Sequence, residues 1–164
     1  MTTESDFLQK AQQALMFESV LLRDSKINMK ESIDVRDWSQ AKIINQSLSG
    51  VYAIKHEEAE KEDDGSRFWI YTFFYETGIR CVPEQEEADS SNEDYQPFLE
   101  IRVKWSVRYW SKSALPEESL HAFSVDNVGY HVWPYWREYV QSTSARMGLV
   151  DNAPRIPLYT KCTK

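Results

Sequence analysis

The sequence predicts an α+β fold: a four-stranded antiparallel sheet with two C-terminal helices packed on one face, preceded by a short N-terminal helix. Three observations predict it. The stretch "FLEIRVKWSVRYW" (98–110) alternates Leu99, Ile101, Val103, Trp105, Val107 and Tyr109 with Glu100, Arg102, Lys104, Ser106 and Arg108, the period of a strand with one wet face. Strand-like runs come before helical ones, an order that suits helices gathered on one face of an antiparallel sheet. Only five glycines and six prolines interrupt 164 residues, which leaves most of the chain for regular structure.

Each element has its own signal. Residues 5–15 place Phe7, Leu8, Ala11, Ala14 and Leu15 at helical spacing, after Ser5 as a candidate N-cap. "FESVLLRDSKINM" (17–29) is rich in branched apolar residues and reads as strand or helix. In 41–55, Ile44, Leu48, Tyr52 and Ile54 share one period-2 face, and Gly50 suggests a bulge or a close approach. "RFWIYTFFYETGIRCV" (67–82) is apolar on both sides, so both faces need cover. A short helix is expected from Pro116 over 116–123, with acids in its first turn. The last helix is expected to begin near Val132–Trp133, because Pro134 lacks the amide hydrogen that a helix interior needs. It should end at Met147, with Gly148 past its end. On it, Trp133, Trp136, Val140 and Met147 form one stripe, flanked by Tyr135 and Tyr139.

Composition sets outer bounds. The length suits one domain spanning 1–164. The start, "MTTESDFLQK", has no apolar signal region, and "FWIYTFFY" is too short to cross a bilayer. A cytoplasmic protein is expected, without membrane insertion, in which Cys81 and Cys162 are free thiols. The net charge of −7 is uneven. Residues 56–65 and 83–97 each carry six acids, and without them 14 acids face 18 Lys+Arg. These runs read as solvated loops, or alternatively as sites for a basic partner.

No enzyme chemistry shows. The glycines are isolated, so no phosphate loop is formed. His56, His121 and His131 lack ligand spacing, and neither acidic run has the calcium-loop pattern. No metal or other cofactor is expected. His131 in "GYHVW" reads as a capping or packing residue before a catalytic one. Arg102, Lys104 and Arg108 on one strand face could meet a nucleic acid, but the surrounding acidity argues against it.

Particular residues then carry a resemblance. "WPYWRE" (133–138), "STSARMG" (142–148) and "PRIPLY" (154–159), with weaker "RDSKINM" (23–29) and Asp37–Trp38, resemble the SecB family of export chaperones and its SecB-like relatives associated with toxin–antitoxin systems. The order of elements agrees over residues 17–159, which leaves 5–15 as an N-terminal extension. The resemblance implies ATP-independent holding of unfolded or preprotein chains by a homotetramer, a dimer of dimers, without cofactor. It implies a groove for clients, with Trp38, Ile43, Ile44, Trp133, Trp136 and Val140 as candidates, each of which could equally be core packing. Export relatives dock on the SecA motor through acidic sheet residues and a C-terminal tail. Asp24 fits one such position, whereas Asn28 and Ile101 stand where further acids are expected. These departures point to a dedicated client such as an antitoxin. Two other classes stay open: a small-ligand-binding protein or enzyme using the sheet–helix cavity with His131, Arg137 and Glu138, and a structural subunit whose rings seal an oligomer interface.

Overall fold

A computed structural model describes residues 3–34, 38, 42–86, 91–149 and 151–161. Helix α1 (Glu4–Ala14) leads into strands β1 (Met16–Met29), β2 (Ile43–Glu60), β3 (Arg67–Pro83) and β4 (Leu99–Ser111), and the chain closes with helix α2 (Glu117–Arg146). The strands form one antiparallel sheet in the order β1-β4-β3-β2. The expected α+β class and strand count therefore hold.

The sequence patterns explain the layers. In β4 the odd residues Leu99 to Tyr109 are buried, and they pair across the sheet with Ile79, Thr77, Tyr75 and Phe73 of β3 or their neighbours. Cross-strand partners share a face, so this is the inner face, which α2 covers with Leu120, Phe123, Val128, Val132, Trp136 and Val140. Two polar groups inside are paired. The Trp105 indole N–H donates to Thr77 Oγ1 at 2.9 Å, and the Leu115 amide donates to the Tyr71 hydroxyl at 2.8 Å.

Several expectations are corrected. The two C-terminal helices are one, running unbroken through Pro134 for 30 residues, about 45 Å at the usual rise. Pro134 removes only the bond to the Tyr130 carbonyl. Both residues are exposed, so water can serve that carbonyl while the two helix halves stay packed on the sheet. The α1 cap is Thr3, not Ser5: its hydroxyl accepts from the Asp6 amide, and the Asp6 carboxylate accepts from the Thr3 amide at 2.8 Å. That carboxylate, held by the two Thr3 bonds, has its pKa lowered.

In β2 the bulge falls at Tyr52 rather than Gly50. An extra residue flips the alternation. Ile44 and Leu48 therefore face outward, while Ile54 faces the core opposite Phe73. Leu48 leans over Gly78, where a Cβ would stand only 3.0 Å from its Cγ. The acidic stretch 56–65 is not all loop: His56–Glu60 continue β2, tied down by the Arg67–Glu58 ion pair at 3.1 Å, and only the turn to Ser66 is free of the sheet. Gly65 in that turn has φ +69°, a left-handed value that glycine adopts without penalty. Of the second acidic stretch, Tyr95 folds back beside Arg80, with its hydroxyl donating to Glu86 at 2.7 Å. Cys81 is a free buried thiol, pushed up to about 12 by burial, whereas Cys162 lies outside the described residues.

Candidate functional site

The second half of α2 and the segment 151–160 enclose an open cleft of about 1140 Å³. Its position follows from the sequence around Gly129. A Cβ there would lie 2.5 Å from the Tyr75 hydroxyl and 2.8 Å from the Tyr159 hydroxyl. Glycine thus makes a notch in the helix wall into which two tyrosines reach, one from the sheet and one from the C-terminal segment. Tyr159 donates to the Asp126 carbonyl at 2.7 Å, and its ring meets Trp133 edge-on at 5.3 Å. The Trp133 indole in turn donates to the Pro157 carbonyl at 2.7 Å.

Rings continue along the wall. Tyr130 is 61% exposed, Tyr135 is exposed, and Phe17 from β1 stacks on His131 at 4.7 Å. The Tyr109 hydroxyl and His131 Nδ1 share a 2.8 Å hydrogen bond. Burial pushes the Tyr109 phenol up, so it stays neutral, and burial lowers the His131 pKa against an opposing contact with the Asn127 carbonyl. His131 is therefore a neutral packing residue near pH 7, held between a phenol and a phenyl ring. Arg137, Glu138, Asp151 and Arg155 stand on the rim, all exposed. The arrangement offers apolar rings with a charged border, suited to contacting a chain of variable sequence. Among the described residues no cluster of His, Cys, Asp or Glu is arranged to hold a metal ion. No described helix is long and apolar enough to cross a membrane.

The six candidate residues separate by burial. Trp133, half-buried, packs against the core on one side and lines the cleft on the other. Trp136 and Val140 are each 1% exposed and belong to the core, as does Trp38, which packs against Phe98 at 5.8 Å. Ile43 packs against the core from the inner face of β2, and Ile44 lies on the opposite face. Asp24 stands on the outer face beside Lys104. Ile101 is wholly buried, and the outward residue of that pair is Glu100. Phe17, Gly129 and Tyr159 complete the site and were not among the candidates. The "PRIPLY" segment holding Tyr159 was visible in the sequence as a marker, but nothing local shows that it returns to the helix.

Comparison with known proteins agrees with this architecture. A SecB-like chaperone of Mycobacterium tuberculosis, solved in complex with a ChAD peptide from an antitoxin, superposes with a TM-score of 0.58 at 13% identity, covering 94% of this chain and 98% of the other. The fold is therefore SecB-like. A Bacteroides vulgatus structure aligns over 59% of the chain at a TM-score of 0.18 and 11% identity, too weak to carry any argument. No family model and no curated protein matches the sequence.

Proposed function

We propose that the protein is an ATP-independent chaperone that holds unfolded or aggregation-prone polypeptides in the aromatic cleft, acting in the cytoplasm through residues 17–159. The single observation that carries this is the open wall of exposed rings, Tyr130, Tyr135 and Phe17 around Trp133, on a SecB-like fold. Large rings outside a core are unfavourable in water unless something covers them. Trp133 is the direct anchor in this reading. Trp38, Ile43, Trp136 and Val140 support the wall from beneath, and the exposed rim charges Arg137 and Glu138 favour a passing chain over a small enclosed ligand.

A dedicated client, such as an antitoxin, fits better than docking on SecA through Asp24. The solved relative holds an antitoxin peptide. The outer sheet face is also charge-balanced rather than acidic: Glu76 pairs with Arg102, Glu100 with Arg80 and Glu18 with Arg108. The assembly is proposed to be a homotetramer, a dimer of dimers.

The test is aggregation of a chemically denatured substrate diluted into buffer with the purified protein and no nucleotide. Light scattering should fall in proportion to the chaperone added. Undiminished scattering at molar excess would sink the proposal.

A further inference from the structure

Residues 154–160 run along the cleft, which Pro154, Arg155, Ile156, Leu158 and Tyr159 line together with the second half of α2. Their contacts are ones that many chains could make. Any residue supplies a carbonyl like that of Pro157, which accepts from the Trp133 indole at 2.7 Å. An aromatic residue two positions later, here Tyr159, stands edge-on to Trp133 and passes its hydroxyl over Gly129 to the Asp126 carbonyl. The segment touches the core through Pro154, which is buried, and Ile156, whereas Leu158 is 71% exposed and Pro157 is exposed. It lies in a trough and divides it. The cleft of about 1140 Å³ is on one side, and a hollow of about 450 Å³ between α2 and Ser47 and Ser49 of β2 is on the other. Ile156, Leu158 and Tyr159 line both.

We propose that this trough is a client subsite for extended segments that present a backbone carbonyl to Trp133 and, two residues on, a tyrosine to the Gly129 notch, and that residues 154–160 are its intramolecular occupant. The inference rests on reading the cleft as a polypeptide-holding site, and adds the class of segment it takes and the competitor that a client displaces. A tethered occupant acts at an effective concentration on the order of millimolar. Client affinity is thereby lowered by the fraction of time the trough is empty.

The test uses the full chain and a fluorescent peptide APRIPLYT, the sequence of residues 153–160, followed by anisotropy. Tyr159→Ala should bind the peptide about tenfold more tightly than the parent, because its own segment no longer holds the notch. Trp133→Phe in that background, which keeps a ring but loses the indole donor, should weaken binding several-fold. A peptide with alanine for its tyrosine should lose most of its affinity. Equal peptide affinity of parent and a folded Tyr159→Ala protein, checked by circular dichroism, overturns the subsite. If Tyr159→Ala does not fold, Tyr159→Phe decides: it removes only the hydroxyl, and should tighten peptide binding a few-fold, no change being a refutation. Aggregation suppression run in parallel separates the two claims. Holding without any peptide effect removes the subsite alone, whereas the peptide effect without holding keeps the subsite and removes the chaperone reading.

Discussion

Trp133 and Trp136 stand three positions apart on α2, yet the first lies at the edge of the cleft and the second in the core. Their truncations should therefore separate. Trp136→Ala should cost about 3–5 kcal/mol of stability in urea denaturation, as for a large buried ring. Trp133→Ala should cost less, about 1–2 kcal/mol for one hydrogen bond and a half-buried ring, while weakening client holding by about 1–3 kcal/mol. A reversed pattern would show that the cleft ring is structural. His131 makes a prediction in pH. Its folded pKa lies below its ordinary value because of burial, so the unfolded chain takes up that proton first. The contribution is fully present above the unfolded value near 6.5, and is lost as pH falls through the lower folded value. His131→Gln should flatten the stability profile below pH 6.5, and an unchanged slope would refute the assignment. The ring-rich run of 130–139 was plain in the sequence. Which rings face outward was not, because that depends on where the segment 151–160 returns, a contact 24 residues distant in the Trp133–Pro157 bond.

At the scale of elements, α2 is one helix through a proline, and Pro134→Ala tests how that is tolerated. Alanine restores an amide for the Tyr130 carbonyl. It should raise stability by about 1–3 kcal/mol, up to the full difference in helix preference between the two residues. A fall in the urea midpoint would mean that the ring of Pro134 packs in the cleft more than it hinders the helix. Local rules read β4 and the end of α2 correctly because alternation and a glycine stop are local signals. They misjudged the start of α2, since tertiary packing on the sheet outweighs one missing bond. They also misjudged β2, where one bulge at Tyr52 reverses the faces of every later residue and where acids such as Glu57 and Glu58 belong to an exposed strand rather than a loop. Charge marks exposure to water, and an edge strand is as exposed as a loop.

For the whole molecule, the inner face of β1 extends beyond the cover of α2 and leaves Leu22 and Ile27 exposed. An apolar strip on an edge strand is a natural subunit contact. Light scattering should give four copies at micromolar concentration, and Leu22→Glu with Ile27→Glu should reduce that number. A monomer for the parent protein would contradict the proposed assembly. The strip was hidden in the sequence because the same residues read equally well as core. The opposite edge raises a different matter. A protein proposed to keep adhesive chains apart has a free sheet edge of its own in β2, and an extended client could in principle add to it and begin a stack. The end of that edge is lined by Glu57, Glu58 and Glu60, the first two paired with Lys55 and Arg67, so an arriving strand would have to bring its backbone against charged, hydrated side chains. On the proposed function, the acidity that looked like loop composition would work as a guard rail, keeping this edge from becoming the template on which held segments aggregate.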